Sequence, residues 1–356
     1  MDSLGYRETS IPVTYDELEE NLYLLSEKDE GDDEGSTIGF ETIDRGIRID
    51  LQELEGHPPG FLRPVRREDK RRVRALLRDV LETAADNGDT LLALDEAVRR
   101  TERHLPEERK CSPTVGRIKE ERDFYAETLL VSERDEVTTI ALPQLDEMED
   151  EISERVTELA ANTLETEEID WRPTIDDVLG SPTDTELREE TEETARAEKA
   201  NALETIHESR LSILKGGAGT GKTTVVSAFL RGLKEVQGRQ SKLLLAPTGK
   251  ARVRLEDVVT EEIETDGAIQ AQTIHQFLNQ HGWLETGSFE LKEQGDDTGG
   301  AQTVIVDESS MLPTDLLATL LRALDFDLVQ RLVFVGDPNQ LPPIGPGRPF
   351  LTSFAG

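Results

Sequence analysis

The chain has 356 residues, 35% of them apolar and 4% aromatic, enough for two or three domains at roughly 100–200 residues each. It has no run of about 18 apolar residues, no basic-then-apolar leader and a single cysteine, Cys111, which argues against a membrane span, a secretory signal, an internal disulfide framework or a cysteine-built zinc site and predicts a cytoplasmic protein. The formal net charge of −35 disfavours a nucleic-acid partner for the molecule as a whole, yet between Leu211 and Leu255 nine Lys or Arg stand against one acid, Glu235, so the balance reverses locally.

Residues 1–60 are acidic and poorly periodic, with SEKDEGDDEGSTIG at their centre, and read as a partly flexible arm. The basic run RPVRREDKRRVR, Arg63 to Arg74, reads as a solvated helix face. Across 61–162 helical spacing takes over. DKRRVRALLRDVLETAADNG predicts a helix stopped at Gly88, TLLALDEAVRRTERHL a second, and Thr114 to Glu127 a third. TLLVSERDEVTTIAL then reads as strand, polar turn, strand, which makes a small winged-helix-like unit, and Pro143 opens a further helix. Residues 163–194 are rich in acids, Thr and Pro and read as a linker.

From 195 to 356 the texture changes. Four short apolar runs, LSIL, KLLLA, TVIVD and RLVFVGD, mostly alternate with helical segments, which predicts an α/β domain: a parallel sheet covered by helices on both faces, with chemistry at the carboxyl ends of its strands. The first run enters Gly216-Gly217-Ala218-Gly219-Thr220-Gly221-Lys222-Thr223 and continues through Thr224 into a helix. Glycines in this pattern let backbone amides wrap phosphate oxygens at a helix N-terminus; Lys222 reaches the terminal phosphates and Thr223 ligates Mg²⁺. The third run ends in Asp307-Glu308, an acid that organises Mg²⁺ followed by one that orients the attacking water. The second delivers Pro247-Thr248-Gly249-Lys250-Ala251-Arg252, a second anion-binding turn that suits a nucleic-acid backbone. The fourth brings Asp337 and Gln340 to the nucleotide, where an amide can bond a γ-phosphate before hydrolysis and lose that bond after it. Thr273 and His275 gain meaning only beside these. In GWLETGSFELKE, Trp283 and Phe289 flank Thr286-Gly287, so a hairpin is expected, either a plain surface hairpin or, as the resemblance given next implies, a duplex-splitting pin.

GGAGTGKTT, APTGKAR, TIHQFL, VIVDESSM and VGDPNQLPPIGPG stand in the order found in RecD-like helicases of superfamily 1, which the chain resembles over about residues 195–350. The resemblance implies a RecA-like P-loop motor domain using ATP and Mg²⁺ and moving 5′→3′ on single-stranded DNA. It implies that Lys222 and Thr223 bind phosphate and metal, that Asp307 and Glu308 are the Walker B pair, and that Gln340 is the γ-phosphate sensor. Thr248, Lys250, Thr273 and His275 fall in its DNA-contacting motifs. Two departures stand out: Lys199 occupies the position of a base-reading glutamine, and a second RecA-like domain carrying an arginine finger is absent, so a partner domain is expected. A nucleotide-gated binding module and an RNA motor are the alternatives. The dispersed acids and the preference for arginine over lysine resemble proteins of salt-adapted organisms.

Overall fold

The computed structural model describes residues 11–29, 38–47, 66–180, 186–238, 240–262, 268–285 and 290–352. They fall into two compact units: Met1–Glu147 with the short pieces Glu285–Glu290 and Gly345–Gly347, and Met148–Leu284 with Leu291–Ile344 and Arg348–Gly356. No helix among the described residues is long and apolar enough to cross a membrane.

The first unit starts with three short helices, α1 (Tyr15–Glu20), α2 (Leu24–Glu27) and α3 (Phe40–Ile47). Then come α4 (Lys70–Asp86), β1 (Leu91–Ala93), α5 (Leu94–His104), α6 (Val115–Glu120), α7 (Arg122–Tyr125), β2 (Leu130–Arg134) and β3 (Val137–Ala141). The strands form an antiparallel sheet of order β1-β3-β2, the helix-strand-helix-helix-hairpin plan of a winged helix. Asp69 caps α4 by accepting from the Arg71 amide, and the chain leaves that helix through Gly88 at φ +96°, a left-handed position that favours glycine. Between β2 and β3 the two-residue turn Asp135-Glu136 has φ of 49° and 67°, the sign that matches the twist of a hairpin. The second predicted helix is shorter than its periodicity suggested, because Leu91–Ala93 pair with Thr139–Ala141 as a strand.

The basic run differs most from its expected solvated face. Arg72 and Arg74 are both buried. The Arg72 guanidinium spans Asp44 through Nε to Oδ1 at 2.6 Å and Nη2 to Oδ2 at 3.0 Å, and Tyr23 donates its hydroxyl to the same carboxylate at 2.9 Å. Arg74 holds Glu27 at 3.1 and 2.7 Å and also pairs with Glu127. These pairs tie ordered pieces of the acidic arm to α4, so the arm's described helices belong to the packed unit. Sequence pattern could not show this, since the partner of each arginine comes from a segment with no apolar periodicity. Removing one member of such a buried pair typically costs about 3–5 kcal/mol.

The second unit contains most of α8 (Pro143–Ala160), then α9 (Trp171–Leu179), α10 (Glu186–Glu208), β4 (Leu211–Lys215), α11 (Lys222–Gln237), β5 (Lys242–Ala246), α12 (Gly249–Glu262), β6 (Ile269–Thr273), α13 (Ile274–Gln280), β7 (Thr303–Val306), α14 (Thr314–Ala323), β8 (Arg331–Gly336) and α15 (Pro349–Thr352). All ladders are parallel and the order is β4-β8-β7-β5-β6. Alternate residues feed two cores, which is why the strands read as unbroken apolar runs. Leu243, Leu245, Val304, Val306, Leu332 and Phe334 pack with α8, α13 and α14. Leu244, Ala246, Ile305, Val333 and Val335 pack with α9, α10, α11 and Leu255 of α12. Each fully buried side chain of this size contributes about 1.5–3 kcal/mol.

Two expectations change here. The sheet has a fifth strand, β6, at one edge, whose sequence IQAQT lacks an apolar run and none of whose residues is fully buried. Residues 163–194, read as a linker, contribute α9 and the start of α10. Trp171 is only 3% exposed, and its ring packs on Phe229 at 5.8 Å and His207 at 5.4 Å. The acidic composition of this stretch describes the outer faces of helices whose inner faces carry few but large anchors.

Candidate functional site

Because all five strands run the same way, their carboxyl ends share one edge of the sheet. Along that edge stand, in order, the loop after β4, the Asp337 turn after β8, Asp307 after β7, the Thr248 turn after β5 and Thr273 at the end of β6. Residues scattered over more than a hundred positions are thereby aligned by strand register alone.

The loop Gly216-Gly217-Ala218-Gly219-Thr220-Gly221 joins β4 to α11, with Lys222, Thr223 and Thr224 in the helix's first turn. Gly219 and Gly221 have φ of 77° and 85°, so the loop's shape depends on glycine. A Cβ on Gly216 would lie 2.6 Å from the Thr220 hydroxyl. Lys222 Nζ donates to the carbonyls of Gly216 at 2.5 Å and Gly217 at 3.0 Å, which holds the ammonium over the loop. The Gly216 amide donates to the Gly336 carbonyl at 3.2 Å, locking the loop to the neighbouring strand end. Lys199 of α10 reaches the same place: its Cε and Nζ lie 3.2 and 3.9 Å from where a Gly221 Cβ would stand. An ammonium offers donors only, not the paired donor and acceptor of an amide.

Asp307 is 8% exposed, and its amide donates to the Leu245 carbonyl at 2.9 Å. Burial pushes its carboxyl above the usual carboxylate range, reinforced by the charge of Glu308 and opposed by Arg254 and Lys222. A bound dication reverses that balance by stabilising the ionised form. Glu308 has a left-handed backbone, φ 50° and ψ 34°, and its Oε2 is buried without a hydrogen bond among the described residues. The turn after it is pinned by Ser309 Oγ donating to the Val335 carbonyl at 2.7 Å. Asp337 is 4% exposed and accepts from the Asn339 amide at 3.0 Å, while Gln340 at the next bend is exposed. A buried, ionisable Asp307 and the Thr223 hydroxyl at the start of α11 are the kinds of donor that fit Mg²⁺, which takes one or two protein oxygens plus substrate phosphates.

On the other half of the edge, Thr248, Gly249 and Lys250 are exposed at the start of α12. Arg252 is turned differently and pairs with Glu256 on its own helix. Thr273 caps α13: its hydroxyl accepts from the Gln276 amide at 3.1 Å while Gln276 Oε1 accepts from the Thr273 amide at 2.9 Å. His275 is exposed one residue on. Trp283 departs from the pin expectation. It is 7% exposed in the core beneath α13, and its indole N–H donates to the Asp297 carbonyl at 2.8 Å. Leu284 and Leu291 pair antiparallel at the base of the hairpin, but Thr286, Gly287 and Phe289 lie outside the described residues. A large indole gains more from the core than from solvent, and only tertiary packing reveals which it has.

Residues 199–346 match the family model described as an AAA domain. Over 158 residues the chain is 35% identical to an uncharacterized protein of Methanocaldococcus jannaschii, covering 43% of this chain and 13% of that protein. It is 36% identical over 150 residues to the RecBCD enzyme subunit RecD of Mycolicibacterium smegmatis, covering 38% of this chain and 26% of the subunit. It is 35% identical over 160 residues to the ATP-dependent RecD2 DNA helicase of Deinococcus radiodurans, covering 43% of this chain and 19% of that helicase. The matched segment, with its P-loop and parallel sheet, is similar to part of these RecD and RecD2 proteins. The chain spans between 13% and 26% of the length of these relatives.

One residue of this segment escaped the sequence reading. Arg254 of α12 points its Nη1 at Glu308 Oε1, 3.9 Å away. The local basic count contained Arg254, but nothing in the linear pattern links it to an acid at the end of another strand.

Proposed function

We propose that this chain converts Mg²⁺–ATP hydrolysis into movement along single-stranded DNA, in the 5′→3′ direction and in the cytoplasm, as one half of a two-domain motor. The observation that carries this reading is the shared strand-end edge, which sets a phosphate loop and an Asp-Glu pair beside an exposed Thr248–Lys250 turn. In this reading Thr223 and Asp307 hold the magnesium, which, when bound, neutralises and polarises the nucleotide's phosphates. Lys222 leaves its loop carbonyls for the β- and γ-phosphates, and Glu308 orients the attacking water and accepts its proton. Gln340 bonds the γ-phosphate and loses that bond on hydrolysis. Thr248, Gly249, Lys250 and His275 grip the DNA backbone, with Arg252 and Thr273 shaping the turns that present them. A second RecA-like domain completes the reaction with an arginine finger, a contribution worth about 10³–10⁵ in rate.

Nucleotide binding and hydrolysis separate the roles. Lys222→Ala is expected to lose binding of Mg²⁺–ATP. Glu308→Gln is expected to retain binding but to slow hydrolysis by about 10²–10⁴. Fluorescent-nucleotide titration and phosphate release, with and without single-stranded DNA, measure both. A Glu308→Gln variant that hydrolyses ATP at the wild-type rate would remove Glu308 from the chemistry.

A further inference from the structure

Arg254 sits where the two halves of the strand-end edge meet. It lies on α12 four residues after Lys250, so the two cations share one face of the helix about 6 Å apart along its axis. Both are exposed, Arg254 with 65% of its side chain in solvent. Its guanidinium stands 3.9 Å from Glu308 Oε1, too far for a hydrogen bond, while Glu308 Oε2 is buried and has no hydrogen bond among the described residues. The Glu308 backbone cannot easily follow a moving partner. Its left-handed conformation is held by the Met311 amide, which donates to the Glu308 carbonyl at 3.0 Å, and by the Ser309 bond to Val335. Only the carboxylate can swing.

We propose that Arg254 is a positioning residue that couples the nucleic-acid face to hydrolysis. Without a strand, its charge holds the Glu308 carboxylate towards α12 and away from the attacking water. When a backbone phosphate seats on Lys250, a neighbouring phosphate takes the Arg254 guanidinium, and Glu308 is released to the water. The exchange runs in that direction because an arginine–phosphate fork is a strong charge-assisted pair, whereas a separated, exposed pair with a carboxylate is weak. No covalent step belongs to Arg254. The inference rests on the nucleic-acid-tracking function proposed above.

The test compares the full-length protein with its Arg254→Ala and Arg254→Lys variants, reading kcat and KM for ATP with and without an oligothymidylate. Arg254→Ala is expected to raise the DNA-free kcat about three- to five-fold, the size an exposed ion pair can supply. It should leave KM for ATP unchanged and shrink the stimulation by DNA by a similar factor. Arg254→Lys should restore part of the wild-type ratio. An unchanged or lowered DNA-free kcat in well-folded Arg254→Ala would overturn the coupling role. A raised KM would also overturn it, by assigning the guanidinium to the nucleotide's own phosphates. ATP hydrolysis by the wild type with no response to DNA would instead overturn the tracking function, and the inference with it.

Discussion

Thr273 and Lys222 are both engaged in protein contacts, but with different consequences. Thr273 uses its hydroxyl and its amide in a capping box, so its first task is to start α13 and orient His275. The bonds from Lys222 are to loop carbonyls that a phosphate's charge readily outbids, which suits a residue that must change partners. A third engaged residue, His104 in the first unit, gives a pH signature. Its ring bonds Asp79, which raises its pKa above the ordinary histidine value near 6.5 against an opposing desolvation effect. A raised folded-state value means that this contribution is complete below pH of about 6.5 and fades as pH climbs through the folded value. Melting temperatures between roughly pH 5.5 and 8.5 should therefore show a decline that His104→Gln removes. An unaltered profile in the variant would assign the pH dependence to other groups.

At the scale of elements, close approach decides what is tolerated. Gly232 lies mid-way along α11, where Trp171 of α9 presses on the helix; a Cβ there would stand 2.3 Å from the ring's Cζ3. Alanine ordinarily favours a helix interior by about 1 kcal/mol, but overpacking against a rigid ring costs about 1–3 kcal/mol. Gly232→Ala is thus expected to lower the denaturant midpoint, and a rise would mean that Trp171 can step aside. The same contact explains why a stretch with linker composition is structural: α9 rests on α10 and α11 through Trp171 and Ile175, both buried in one core. Composition averages over both faces of a helix and so conceals an anchor of two residues. Periodicity fails for a related reason at β6, where the sheet's edge asks for no continuous apolar run.

For the whole molecule, a net charge of −35 means that self-repulsion opposes folding in dilute buffer. Raising salt from about 0.1 to 1 M shortens the screening length from about 10 to 3 Å, so the melting temperature is expected to rise along that series. A fall would show that the surface ion pairs matter more than the repulsion. Against this acidic background the Leu211–Leu255 stretch is the exception, and the fold gives its cations several roles. Lys222 lies over the phosphate loop, Lys250 is exposed at the Thr248 turn, Arg252 is spent on Glu256, and Arg254 faces Glu308.

The glycine-rich loop into Lys222, the Asp307-Glu308 pair at a strand end and the parallel sense of the sheet were legible in the sequence alone, whereas the strand order and β6 were not. A phosphate cradle is built from consecutive backbone amides, and a strand end is marked by an unbroken apolar run, so both signals are local. Tertiary structure alone decided that Arg72 and Arg74 are buried, that Trp283 is a core anchor, and that Arg254 stands beside Glu308. In each case the deciding partner comes from a distant element: Asp44 and Glu27 for the arginines, Asp297 for the indole and the end of β7 for Arg254. Burial and charge pairing depend on distances in space, and linear spacing encodes those only where the chain pairs with itself nearby.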